Sequence, residues 1–197
     1  MKLFFLHVRS SEIVILGCSA MLISSIALGQ PKAASPAPQM QQGGAHSQSQ
    51  TFTQQEQDFI NKAAQSGYTE VEASKVAMEK TKNNQVQSFA KQMLKDHTLA
   101  NDKLAAISSK KGYTPPAEPS MAQKAKLKAM STLQGVEFDR AYAQDIGVAA
   151  HEEAVSLFKN AQSQLTDAAL KSYVKKTLPI LEHHLEMAKE MKERVSG

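Results

Sequence analysis

Residues 86–104 read VQSFAKQMLKDHTLANDKL. Stepped alternately by four and three residues, the stretch gives Val86, Ala90, Met93, His97, Ala100 and Leu104, with Ile107 next in line. Side chains at that spacing share one face of an α-helix, and an apolar stripe of this kind is a surface that must be covered by other helices. The stretch therefore predicts a long amphipathic helix with an imidazole in the middle of its buried face.

Three further segments repeat the pattern. The last gives Leu170, Val174, Thr177, Leu181, His184, Ala188, Met191 and Val195; the third gives Ala141, Gln144, Val148, His151, Val155 and Phe158. The first gives Ile60, Ala63, Gly67, Glu70, Ser74 and Ala77. Three stripes thus carry a histidine where an apolar residue belongs, and the fourth carries a glutamate. No segment alternates with the two-residue period of a strand, so the expected fold is all-α, a four-helix bundle.

Local punctuation sets the boundaries. Thr53 with Glu56 three residues on forms a capping box that opens the first helix, which should run to about Thr81. Asn83 or Asn84 caps the second, which should reach Lys110-Lys111 and stop at Gly112. Ser120 with Gln123 starts a short extra helix to about Leu133, placed between the second and third long helices. Gly135 marks a break before the third, expected as one continuous helix from Val136 to Gln162. Thr166 or Asp167 caps the last, which should reach Val195 and be kinked at Pro179, where a backbone hydrogen bond is lost.

The N-terminal quarter is different in kind. Lys2 and Arg9 precede an apolar run from Ile13 to Leu28, and Ala27-Leu28-Gly29 supplies small residues, so residues 1–29 read as a secretory signal cleaved before Gln30. The alternative is a lipid anchor at Cys18, because Ile15-Leu16-Gly17-Cys18 resembles a lipoprotein cleavage box. Residues 30–51 are Gln, Pro, Ser, Ala and Gly with almost no large apolar side chain, and read as a disordered tether. Residues 52–197 form the bundle domain. No transmembrane helix is expected in the mature form, since the one apolar run is shorter than a span needs. The expected location is the periplasm or the outer membrane, with a cell-envelope component as partner.

Composition removes several classes of function. The chain has one cysteine in 197 residues, so the folded part has no disulfide, no thiolate nucleophile and no thiolate zinc site. A net charge of +4, without tryptophan and without basic residues grouped among aromatics, gives no footprint for nucleic acid. Neither a nucleophile–base–orienter set nor a glycine-rich phosphate loop occurs, which places an enzyme behind a binding or structural protein.

Several strings resemble a known family: Asp58-Phe59, Gly67 followed by Glu70-Val71-Glu72, the run Phe89 to Asn101, Phe138-Asp139-Arg140-Ala141-Tyr142, His151, and Leu178-Pro179 leading to His184-Leu185. Together they resemble the bacterial family called domain of unknown function 4142, over about residues 55–191. The resemblance implies an exported protein with a ferritin-like four-helix bundle, often labelled an outer membrane protein, without a demonstrated activity. Its recurrent polar positions fall on Glu70, His97, His151 and His184.

Those four residues are the candidate metal site. An imidazole on an apolar face must be hydrogen-bonded or ligated, because leaving it unpaired in a core costs about 1–3 kcal/mol. Three imidazoles and a carboxylate suit a divalent transition metal such as zinc, copper or iron rather than calcium. The di-iron form of such a bundle needs Glu-x-x-His pairs. Here Leu94, Val148 and Leu181 stand three residues before the histidines, which argues against ferroxidase or oxygenase chemistry. Met93, Met187 and Met191 would favour cuprous copper as ligands and are ordinary gap-fillers otherwise. His183 points about 100° away from His184 and is expected to be exposed.

Axial counting separates the two helical hairpins. About a turn at residue 82, Glu70 lies 12 positions before and His97 15 after, a mismatch of about 4.5 Å. About a turn at residue 164, His151 lies 13 before and His184 20 after, which leaves about 10 Å between them. On that count Gln144 or Asp145, rather than His151, should stand level with His184. The reading that follows is an exported bundle holding a transition metal in its core and serving envelope stress tolerance. The alternative is a structural or interaction module of the envelope with no metal.

Overall fold

The computed structural model describes residues 51–196; the expected signal segment, the lipidation box at Cys18 and residues 30–50 of the expected tether lie outside them. The described residues form six α-helices and one π-helical segment, with no strand among them. In chain order these are α1 (Gln54–Lys80), α2 (Asn84–Ser109), the short α3 (Met121–Ser131), α4 (Gly135–Ala141), the π segment (Tyr142–Ala149), α5 (Ala150–Gln164) and α6 (Ala168–Ser196). The fold is an all-α bundle in which α1, α2, α6 and the run from α4 through α5 supply the four long rods.

The helix ends follow their sequence signals. Thr53 Oγ1 accepts from the Glu56 amide while Glu56 accepts from the Thr53 amide, closing the capping box. Asn83 Oδ1 accepts from the Gln85 and Val86 amides at the start of α2. Ser120 and Gln123 repeat the box at α3, and Asp167 Oδ1 accepts from the Leu170 amide in the first turn of α6. Gly112, just past α2, and Gly135, the first residue of α4, have φ of 70° and 55°, left-handed conformations that a side chain would strain. Pro179 lies inside α6, which continues through it.

The third rod departs from expectation. It is not one regular helix from Val136 to Gln162: eight residues, Tyr142–Ala149, wind as π-helix. Tyr142 and His151 both face α1, where the Tyr142 hydroxyl bonds Ser74 Oγ at 2.9 Å and His151 approaches Glu70, one turn before Ser74. Nine residues separate Tyr142 from His151, which is two and a half turns of α-helix and would put them on opposite faces. Wound at roughly 4.4 residues per turn, the same nine residues make about two turns and bring both to one face. Phe138, Tyr142, Gly147 and His151 are among the buried residues of the rod, as is the expected Val148, while Gln144 and Asp145 are exposed.

The core divides into two apolar clusters. One contains Phe59, Ile60, Leu104, Phe158, Leu170 and Leu181. The other contains Ala77, Val86, Met93, Phe138, Tyr142 and Met191. On every long rod the change from one cluster to the other happens at the same kind of place: between Ala64 and Ala73 on α1, Met93 and Leu104 on α2, Val148 and Ala154 on the third rod, Leu181 and Ala188 on α6. Glu70, His97, His151 and His184 fill those four gaps. A polar layer crosses the bundle between two greasy halves.

Candidate metal centre

The four gap residues meet. The imidazole centroids of His97, His151 and His184 form a nearly equilateral triangle, 5.5, 5.3 and 5.4 Å on its sides. Glu70 Oε2 lies 2.6 Å from His97 Nε2 and 3.5 Å from His151 Nε2. Glu70, His151 and His184 are 0, 0 and 1% exposed and His97 is 5%, so water does not serve as their solvent.

Partners on the far side of each ring fix which nitrogen faces inward. His151 Nδ1 is 3.1 Å from the Ile146 carbonyl, which can only accept, so Nδ1 carries a proton and Nε2 is the nitrogen turned toward the centre. His184 Nε2 is 2.9 Å from Asp96 Oδ2, and that carboxylate is ionised: burial raises its pKa, but hydrogen bonds from Gln92 and His184 hold it below the usual value. His184 Nε2 therefore donates outward and Nδ1 is bare. Burial, reinforced by the nearby His97, pulls the His184 pKa down to about 4, which keeps the ring neutral near pH 7.

Glu70 is ionised as well. Burial pushes its carboxyl upward, but His97 and His151, with a hydrogen bond from Ser66 to Oε1 at 3.1 Å, outweigh that and hold it at about 2. Its other oxygen, Oε2, has no hydrogen-bond partner among the described residues, and neither have His97 Nε2, His151 Nε2 and His184 Nδ1. Glu70 Oε2 and His97 Nε2, 2.6 Å apart, form a buried carboxylate–imidazole pair, a separation that a shared proton accounts for. Glu70 Oε2, His97 Nε2, His151 Nε2 and His184 Nδ1 thus form a buried polar cluster short of hydrogen-bond partners, an arrangement that a cation among them, proton or metal ion, compensates.

The three imidazoles fit that cation by distance. Their ligating nitrogens lie within 4.8 Å of one another. Even at that limit a central ion stands about 2.8 Å from each nitrogen, against the ~2.0–2.1 Å of a zinc–imidazole bond, so each ring closes by about 0.7 Å. The Asp96–His184 pair is the carboxylate–histidine arrangement that orients a ligand from behind, and the Ile146 carbonyl does the same for His151. A cleft of about 40 Å³ between α2 and α6, lined by Asp96, Lys103 and Ile180, reaches His97 and His184.

The axial expectation for the second hairpin is corrected. His151 and His184 are in ring contact, and neither Gln144 nor Asp145 takes the place of His151. The error lies in the turn: residues 165–167 are spent outside both helices, so its centre is Thr166 rather than residue 164. His151 then lies 15 before and His184 18 after, the same three-residue offset of about 4.5 Å as Glu70 and His97 about residue 82. The two hairpins are staggered alike, which is why their four polar residues share one level.

His183 is exposed, as expected of its angle from His184. Met93 and Met191 are buried in the apolar cluster beside the centre, where they pack as gap-fillers. Sequence reasoning missed Asp96 and the Ile146 carbonyl, because the first acts on a residue of another helix and the second through the π segment, and stripe counting sees neither.

An all-α bundle crossed by a buried layer of one carboxylate and three imidazoles is the class that fold and site define. Within it, the chain belongs to the family described as Domain of unknown function (DUF4142), whose profile matches residues 41–191. No curated protein and no solved structure matches the chain.

Proposed function

We propose that the protein binds one divalent transition metal ion, zinc, copper or iron, through Glu70, His97, His151 and His184, and does so outside the cytoplasm. The observation that carries this reading is that three buried imidazoles bring ligand nitrogens within 4.8 Å of one another, with the buried Glu70 carboxylate beside two of them. Export rests on the basic start and apolar run of residues 1–29, and among the described residues no helix is long and apolar enough to cross a membrane. Sequestering a transition ion in the envelope supports a role in envelope stress tolerance.

Calorimetric titration of the tag-free domain with zinc, cupric and ferrous ions tests the site. One ion per chain is expected, with His97→Ala abolishing binding and His183→Ala leaving it intact. A folded protein that binds none of the three leaves the histidines as core polar residues of an envelope interaction module. Mass spectrometry of protein recovered from native cells tests export: the N-terminus should be Gln30, or a lipidated Cys18, and an intact Met1 would refute it.

A further inference from the structure

On the Glu70–His97 side of the centre lies a void of about 20 Å³, bounded also by Gly67, Asn101, Tyr173 and Thr177. That is room for one water-sized molecule, which needs at least about 10–15 Å³. Asn101 is 5% exposed, and its Nδ2 has no partner among the described residues. An amide nitrogen only donates, so this is an unused donor beside a centre crowded with acceptors. Gly67 is what lets it sit there: a Cβ at residue 67 would fall 2.3 Å from Asn101 Oδ1.

The spacing fits a bridging ligand. Asn101 lies one turn after His97 on the same face of α2, and Gly67 lies three residues before Glu70 on α1. One turn is about 5.4 Å, close to a metal–oxygen bond of ~2.1 Å followed by a hydrogen bond of ~2.9 Å. We propose that the bound ion keeps one exchangeable coordination position facing this void. A small acceptor ligand, water or hydroxide or a monoatomic anion, fills it and takes a hydrogen bond from Asn101 Nδ2. This rests on the metal-binding reading and adds that the centre is open, as reactive sites are, rather than closed like a structural one.

Fluoride tests it, because it is one atom, ligates and accepts hydrogen bonds strongly. The full chain is loaded with cupric ion and titrated with fluoride while the electron paramagnetic resonance signal is followed. Saturable appearance of splitting from the fluorine nucleus is expected. Asn101→Leu, which fills the space and removes the donor, should weaken fluoride at least tenfold with copper affinity unchanged. Asn101→Ala keeps the space without the donor, should weaken fluoride similarly, and serves alone where the leucine variant does not fold. Copper-loaded wild type that shows no fluorine splitting at high fluoride has a closed centre and overturns the proposal, as does equal fluoride affinity in wild type and Asn101→Ala. Failure of the chain to take up copper, seen as no protein-bound cupric signal, brings down the metal reading and this inference with it.

Discussion

Asp96 is the residue whose role is most easily mistaken for a surface charge. It is the outer partner of His184, and Gln92 Nε2 donates to the same oxygen at 2.6 Å, so the carboxylate is clamped before it orients the ring. Outer partners of this kind are worth roughly 10–100-fold in metal affinity. Asp96→Asn should therefore lower affinity by about that factor while His183→Ala, one residue from His184 but exposed, changes nothing; competitive titration against a chelator of known strength measures both. Glu56 shows a second cross-helix role that the capping box alone does not reveal. Its Oε2 accepts from the Thr53 amide, and its Oε1 accepts from the Thr166 amide, the Thr166 hydroxyl and the Asp167 amide at 3.0, 2.9 and 2.7 Å, tying the start of α1 to the α5–α6 turn. Burial raises its pKa, but those hydrogen bonds outweigh it and lower the value from 4.5 to about 2. A carboxyl depressed in the folded state adds stability that is fully present above pH 4.5 and lost as pH falls toward 2. Glu56→Gln should cost about 1.5–3 kcal/mol near pH 7, the scale of hydrogen bonds to a charged group, and the gap to wild type should close over that acid window in urea unfolding.

At the scale of elements, the π segment sets the limit of what counting could reach. Thr53–Glu56, Asn83, Ser120–Gln123 and Gly112 were legible because caps and left-handed exits are local chemistry, and α1, α2, α3 and α6 follow their marks. The third stripe was misread at Gln144 because steps of three and four presume 3.6 residues per turn, and Tyr142–Ala149 does not obey that presumption. What selects the wider winding is tertiary: Tyr142 must reach Ser74, and His151 must reach Glu70, on one face of α1. The Ile146 carbonyl that holds His151 lies inside the same segment, so the winding and the ligand are coupled. Inserting one alanine after Gln144 should turn Phe138 and Tyr142 about 100° out of phase with His151. The expected outcome is loss of metal binding together with several kcal/mol of stability from two displaced core aromatics, read by calorimetry and thermal unfolding. Unchanged binding in that variant would mean that the π winding does not position His151.

Across the whole molecule, the all-α fold and the identity of the four gap residues were legible in the sequence, while their common level was not, since it depends on the three residues at the α5–α6 turn. The polar layer makes the bundle's stability conditional. Two apolar clusters hold the rods on either side, but between them a carboxylate and three imidazoles face one another with buried polar atoms short of hydrogen-bond partners. On the proposed reading, an ion there would compensate them and bind only the folded chain, because the four proposed ligands come from four helices far apart in sequence. Its effect is then a linkage: free metal at 100 times its dissociation constant should add about 2.7 kcal/mol. For a domain of this size, at roughly 2–4 °C per kcal/mol, the melting temperature should rise by about 5–11 °C. Chelator should reverse the rise, and His97→Ala should show no metal-dependent shift at all. The sign at acid pH follows from ligation by neutral imidazole: burial lowers the His184 pKa to about 4, so the metal-induced rise should shrink as pH falls toward that value, where proton and metal compete for the same lone pair. Differential scanning calorimetry at pH 7.5 and pH 4, with and without zinc, measures it. A rise that is equal at the two pH values, or equal in His97→Ala, would place the ion somewhere other than this layer.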